Sequence, residues 1–294
     1  MVDVGIMYAL ITAVCWGSIS VVSHKIGGNS QNQILGESYG ILLFALLYYF
    51  VVQPTIDLQT TLVGIASGLF YCWGQNQQFR GLEEIGVSMG MPISTASQLI
   101  ITTLAGAIVF GEWTNGRDYL FGLSALVILI VGAIFTSVKE KKQEPSVTVT
   151  PAKRQVVGIV AVLLSGVGIS LYSIVNKAFS PDPAALLLPQ AVGVMIEGFA
   201  AASSQPARKM NSRFTYYNVI LGLLWGLGNL FYSQAIQLGG LAISFSLSQM
   251  GVVISTLGGI LILREHKTHK ELVYTLFGCA LIIAGGILLG VMQA

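Results

Sequence analysis

What most constrains this chain is the length of its uninterrupted apolar stretches. Runs of about 20 residues with few charges, enough for one helix to cross about 30 Å of hydrocarbon, recur from the first, Val4 to Val22, to the last. We read spans at 4–23, 34–53, 60–79, 89–110, 118–138, 155–176, 184–204, 215–236, 242–263 and 272–292. Ten such helices take roughly 200 residues of the 294, which leaves no room for a soluble domain. Charged residues make up only 10%, where soluble chains carry about 25%. The runs are continuous, with no alternation at every second residue, which argues against a strand barrel. The first run has no basic segment before it and is long for a signal peptide, so it reads as an uncleaved span. The expected class is an all-α membrane protein.

Bulk numbers remove further options. A net charge of +2 gives no nucleic-acid signal, and no nucleic-acid partner is expected. Cys15, Cys72 and Cys279 lie in apolar runs and none forms a CxxC pair, so neither a metal site nor a disulfide framework is expected. The stretch 139–154, KEKKQEPSVTVTPAKR, holds five basic residues and two prolines with no apolar period. It reads as a solvated linker between two groups of five spans, 1–138 and 155–294.

The two groups look like copies. Gly68, Tyr71, Gly74 and Gln75 align with Gly222, Trp225, Gly228 and Asn229. Gln33 and Gly36 align with Gln190 and Gly193, Ser97-Gln98 with Ser248-Gln249, and Glu112 with Glu265. Five being odd, the second copy enters the membrane the other way up. Basic residues agree: thirteen fall on the side of the 1–2, 3–4, 5–6, 7–8 and 9–10 loops, against only Arg117 and Lys177 opposite. That bias puts the basic side in the cytoplasm and both termini outside. Ten transmembrane helices in two inverted five-helix repeats are the usual plan of a carrier, with its site near the midplane on helices of both halves.

Candidate ligand groups are the polar residues that the repeat duplicates. Gln98 and Gln249 fall near mid-membrane, Gln75 and Asn229 behind glycines in spans three and eight, and Gln33 and Gln190 nearer helix starts, where an amide could cap free N–H groups. An amide offers two donors and an acceptor without the cost of a buried charge. The competing role for each is an interhelical hydrogen bond of about 0.6–2 kcal/mol. Amides and hydroxyls (Ser94, Thr95, Thr102, Thr103, Ser244, Ser246, Ser248, Ser255) dominate the interior, and no span centre holds a cation. A carrier of phosphate esters or carboxylates would hold an intramembrane Arg or Lys, so a neutral polyol fits better. Trp16, Trp73 and Trp225 offer ring faces to sugar C–H groups, whereas Trp113 reads as an interface anchor. Glycines four apart, at Gly36/Gly40, Gly64/Gly68, Gly222/Gly226 and Gly286/Gly290, mark close helix contacts.

Glu197 in VGVMIEGFA and Glu37 near the start of span two are carboxylates within spans. Ionisable side chains at membrane depth are costly and mark ion or proton paths, so both are candidates for a coupling proton. Enzyme signals are poor, and no enzymatic activity and no cofactor is expected. Gly86-Val-Ser-Met-Gly90 matches GxSxG without a strand–turn–helix context, and His24, His266 and His269 have no partner constellation.

Several longer pieces carry a resemblance. They are Trp16-Gly17, Lys25-Ile-Gly-Gly28, Gly74-Gln75, Met91-Pro-Ile-Ser-Thr95 with Gln98, Phe110-Gly-Glu-Trp113, Leu188-Pro-Gln190-Ala-Val-Gly193, Leu224-Trp-Gly-Leu-Gly-Asn229 and Leu247-Ser-Gln-Met-Gly251. Through them, essentially the whole chain resembles the bacterial glucose/ribose uptake family, a branch of the drug/metabolite transporter superfamily. The resemblance implies monosaccharide uptake across a bacterial plasma membrane, coupled to protons and without ATP, with glucose favoured over ribose by the second-half pieces. Glu197 departs from the family pattern, while Glu83 with Arg80 matches it. A metabolite or drug exporter on the same fold is the rival; the amide-rich interior counts against it.

Overall fold

The computed structural model describes residues 2–111, 113–136, 138, 152–179, 181–239 and 247–293. Every regular element among them is helical. The ten longer helices are α1 (Val2–Ile26), α2 (Ser30–Val52), α3 (Leu58–Ile85), α4 (Val87–Ile108), α5 (Gly116–Thr136), α6 (Ala152–Phe179), α7 (Pro183–Ala202), α8 (Val219–Gly239), α9 (Gly251–Leu261) and α10 (His269–Gln293). Two short helices, Ala207–Met210 and Arg213–Tyr217, lie between α7 and α8. Seven of the ten, α1, α2, α4 to α7 and α10, are long and apolar enough to cross a membrane.

The differences from the expected spans have local causes. The third span, read as 60–79, lies within a helix six residues longer at its C-terminal end, which ends where Gly86 takes a φ of 81°. That helix carries Gln75, Asn76, Gln77, Gln78, Arg80, Glu83 and Glu84, which lowers its hydropathy and keeps it out of the seven. Glu83, expected at a loop, is inside this helix, beside the backbone of Ser30 at the start of α2. Lys153 and Arg154, expected in the linker, occupy the first turn of α6, where Arg154 Nε meets Glu84 Oε2 at 2.9 Å. Residues 139–151 of that linker, Glu112, and Ser244 and Ser246 lie outside the described residues. Trp113, expected as an interface anchor, is instead buried, its ring laid on Gly122 and edge-on to Tyr119.

Helix starts follow from their caps. Asn29 Oδ1 accepts from Asn32 N at 2.9 Å and Asn32 Oδ1 accepts from Asn29 N at 3.4 Å, a reciprocal box that starts α2. Just before it, Gly27 and Gly28 have φ of 84° and 86°, left-handed values that turn the chain sharply out of α1. Asp57 caps α3, its Oδ1 accepting from Thr60 N at 2.7 Å, and this bonding holds its carboxyl below the usual range. A carboxyl lowered by folding contributes stability above its unfolded pKa, and the contribution disappears as pH falls through the folded value. Asp57→Asn keeps an acceptor without a charge; thermal melts across acidic pH are expected to show a shallower fall for the variant than for the wild type.

Packing joins the first five helices to the second five. α3 lies on α6 and α7, and α8 lies on α1 and α2; α4 packs on α6, and α9 on α1; α2 meets α7, α4 meets α9, and α5 meets α10. Close approaches recur at a constant spacing. A side chain on Gly193 would strike the Ile65 carbonyl, and one on Gly40 the Val219 carbonyl. Gly68 abuts Gln190 O and Val194 N, and Gly222 abuts Glu37 O and Ile41 N. Each equivalence on α2 and α7 is therefore 153 residues apart. The alignment of Gln33 with Gln190 at 157 is corrected by one helical turn: in the packing, the counterpart of Gln190 is Glu37.

Candidate functional site

Between these groups of helices lies a cavity of about 140 Å³. Its wall comes from α1 (Trp16, Gly17, Ser20), α3 (Tyr71, Gln75, Gln78), α4 (Thr95, Gln98, Thr102), α6 (Ser170, Tyr172, Ser173), α8 (Trp225, Tyr232) and the Ser248–Val252 segment entering α9. Among the described lining residues none is charged. Helical spacing explains the α3 contribution, since Tyr71, Gln75 and Gln78 stand at i, i+4 and i+7 on one face.

One side of the wall is a hydrogen-bonded amide–hydroxyl network. Ser165 Oγ donates to Val162 O at 2.7 Å, so in its 2.7 Å contact with Ser94 it accepts and Ser94 donates. Ser94 Oγ in turn accepts from Gln78 Nε2 at 2.9 Å and from Gln98 Nε2 at 3.2 Å. One fully buried hydroxyl thus sets the direction of two amides, on α3 and α4. Opposite, Trp16 Nε1 donates to Trp225 O at 3.3 Å, and Trp225 stacks at a tilt on Tyr71 with centroids 5.0 Å apart. Tyr172 packs on Tyr71 and Tyr232 on Trp16, at 5.6 and 5.2 Å. The result is a polar edge and an aromatic face around one space.

Gln249 enters this wall from an irregular stretch. Met250 N bonds Leu247 O, Val252 N bonds Gln249 O and Val253 N bonds Met250 O, all at three-residue spacing, so the chain is wound more tightly here than an α-helix. Gly17 and Gly251 make this approach possible, since a Cβ on Gly17 would meet the backbone of Gly251.

Of the residues singled out from the sequence, Gln98, Gln249, Gln75, Trp16 and Trp225 line the cavity. The others lie elsewhere. Gln33 donates Nε2 to Ser23 O at 3.3 Å, serving a carbonyl at the end of α1 and no helix N–H. Gln190 donates to Ser67 Oγ at 3.1 Å and Asn176 Oδ1 at 3.3 Å. Asn229 is half-buried on α8, outside the lining set. Glu37 is fully buried behind the wall, accepting from Tyr71 OH at 2.8 Å. Glu197, on α7, is half-buried beside the Cys72 thiol. Gln78, Tyr172 and Tyr232 were not singled out. Periodicity from Tyr71 and Gln75 points to Gln78, and the α3–α8 offset of 154 then carries Gln78 to Tyr232.

α4, which carries Gln98, is tied to the end of α9, the helix that follows Gln249. Glu265 accepts from Val87 N through Oε1 and from Ser88 N through Oε2, at 2.9 Å for the latter. A carboxylate on the first N–H groups of α4 satisfies orphan donors and meets the positive end of the helix dipole. Hydrogen bonds to a charged group contribute about 1.5–3 kcal/mol each. Glu265→Ala is therefore expected to lower stability by about 3 kcal/mol, and Glu265→Gln by about half of that, read from thermal unfolding in detergent. The GxSxG stretch is this helix start; Ser88 is buried, and its N–H is one of the two given to Glu265.

Comparison with known proteins places these features in a lineage. A solved crystal structure, 15% identical, covers 99% of both chains with a TM-score of 0.64 and shares the fold. The chain is 44% identical over 290 residues to a "Putative sugar uptake protein" of Enterococcus faecalis, covering 98% of this chain and 99% of that one. It is 40% identical over 288 residues to the glucose uptake protein of Bacillus subtilis, covering 98% of each. The profile of one family, described as Sugar transport protein, matches residues 7–292. The chain, a multi-pass membrane protein of the transporter class, is a member of that sugar transport family.

Proposed function

We propose that the protein is a secondary carrier that imports a neutral monosaccharide, glucose foremost, across the bacterial plasma membrane by alternating access driven by protons. The uncharged cavity, edged by amides and faced by aromatic rings, is the observation that carries this reading. Sugar hydroxyls are both donors and acceptors, which an amide matches on one planar group. The C–H faces of a pyranose suit tilted aromatic rings, and the lack of a cation among the described wall residues disfavours anionic solutes. Gln98, Gln249, Gln75 and Gln78 are the hydrogen-bonding set in this reading, with Trp225 and Trp16 as the stacking face. Relatives named for sugar and glucose uptake support the substrate class.

Ten spans in two inverted repeats, basic loops cytoplasmic, give the carrier its second state. The helix pairings support this plan, because exchanging each of α1–α5 with its partner in α6–α10 maps the most extensive pairings onto one another. α3 on α6 and α7 becomes α8 on α1 and α2, and α4 on α6 becomes α9 on α1. When the halves trade conformations the cavity opens to the other side.

Radiolabelled glucose uptake into proteoliposomes, with and without an imposed inward proton gradient and competed by unlabelled ribose, tests the reading. Accumulation above equilibrium only with the gradient, weakly competed by ribose, is expected. Equilibration without overshoot would make the protein a facilitator, and no sugar flux in folded protein would overturn the sugar reading in favour of an exporter.

A further inference from the structure

The cavity wall has a carboxylic acid standing behind it. Glu37 is fully buried on α2, and its Oε1 accepts from Tyr71 OH at 2.8 Å while Oε2 makes no hydrogen bond. Gln75 stands against the same carboxyl. Tyr71 and Gln75 are also wall residues, so the two donors that serve the carboxyl from one side face the solute space from the other. We propose that Glu37 carries the coupling proton and that Tyr71 and Gln75 link its protonation to occupancy of the cavity. This inference rests on the reading of the chain as a proton-driven sugar carrier.

The surroundings of Glu37 fit such a role. α2 packs on α3, α7 and α8. From α3 come Tyr71 and Cys72; from α7, Glu197 stands behind Cys72; from α8, Gly222 abuts the Glu37 carbonyl, with no titratable side chain there. Among the described residues no lysine, arginine or histidine faces the carboxyl, so its charge is balanced by donors alone. The unpartnered Oε2 is where the acid proton resides.

The linkage follows from competition for donors. Hydrogen bonds given to a carboxylate stabilise its charged form. A sugar hydroxyl that engages Gln75 or Tyr71 diverts those donors and favours the neutral acid, so binding sugar takes up a proton. Reciprocally, protonation of Glu37 releases both donors toward sugar and strengthens its binding. In the cycle one proton from outside water bonds to Oε2, crosses with one sugar, and leaves to cytoplasmic water. The empty carrier returns with the carboxylate held by Tyr71 and Gln75. The sugar being neutral, each turnover moves one positive charge inward.

Glu197 has no such connection. Cys72 separates it from Ser38 and Glu37, and it does not line the cavity. The packing equivalence sharpens the contrast: the position of Glu37 is held in the second half by Gln190, an amide of the same shape. The fold already accepts a glutamine there, and Glu37→Gln retains an acceptor for Tyr71.

Wild type, Glu37→Gln and Glu197→Gln are compared in proteoliposomes for gradient-driven glucose overshoot and for glucose counterflow without a gradient. Glu37→Gln is expected to lose the overshoot while keeping counterflow within severalfold of wild type, and Glu197→Gln to keep both. An overshoot persisting in Glu37→Gln overturns the assignment and leaves the sugar reading intact; a wild type without glucose counterflow defeats both. A second measurement needs no variant: glucose added to lightly buffered wild-type protein in detergent, with a pH-indicator dye, should take up protons. No uptake at any pH where the protein stays folded overturns the inference even where Glu37→Gln does not fold.

Discussion

Alanine in place of Gly222 is expected to cost the carrier most of its folded yield, the largest stability effect of any single-methyl change considered. The added Cβ would run into Glu37 O, Ile41 N and Gly40 C, three backbone atoms of α2. Backbone in a helix cannot swing aside, so α8 must back away from α2 along their whole contact. Helix association in lipid depends on close packing, with no hydrophobic drive to make up the loss. The cost is expected at or above the upper end of the usual range for overpacking, about 1–3 kcal/mol. Gly226, one turn further along α8, gives the internal comparison. There a Cβ meets the Phe44 ring, a side chain that can tilt, and Gly226→Ala should lose far less. Gly116→Ala, with nothing within 4 Å, should melt like wild type. Heating each variant in detergent and scoring the monodisperse fraction by size exclusion ranks the three. Equal melting of Gly222→Ala and Gly116→Ala would mean that α2 and α8 do not meet as described.

How much of this was readable beforehand depends on the kind of signal. Hydrophobic length pointed to helices, because crossing hydrocarbon demands a length that few other structures need. Seven of the described helices are long and apolar enough to cross; at 242–263 the described helix is only Gly251–Leu261. It failed where polarity and helicity part company. α3 continues past Phe79 through Arg80, Glu83 and Glu84, since charged residues end a hydrophobic run without ending a helix. Gln249 sits in a tight turn that no hydropathy scale distinguishes from a helix middle. At the cavity, repetition found Gln75, Trp225, Gln98 and Gln249, whose counterparts match in kind or bulk. It missed Tyr232, because its counterpart Gln78 differs in chemistry and only the shared spacing relates them. The pairing of Gln33 with Gln190 illustrates the converse. Identical residues drew the alignment one turn off, and only the backbone contacts of Gly40, Gly193, Gly68 and Gly222 show that Glu37 holds the equivalent place.

Removal of both Gln98 and Gln249 is expected to raise the half-saturating glucose concentration by about two orders of magnitude. Each amide lines the cavity from a different element, α4 and the segment leading into α9. Deleting one leaves the sugar hydroxyl it served unpaired within the cavity, a loss of about 1–3 kcal/mol. A value in the lower half of that range, about 1.4 kcal/mol, corresponds to roughly tenfold for each single variant, Gln98→Ala or Gln249→Ala. No hydrogen bond joins the two amides directly, Gln98 being held by Ser94, so their effects should multiply in the double variant. Gln33→Ala supplies the contrast, because its amide serves the Ser23 carbonyl away from the cavity. That variant should melt earlier yet bind glucose with unchanged half-saturation. Counterflow rates over a range of glucose concentrations, set beside melting curves for wild type and the four variants, separate the two roles. If the cavity amides and Gln33 exchanged behaviour, the sugar would lie along α2. The cavity between α3, α4, α6 and α8 would then be a packing space between rocking halves.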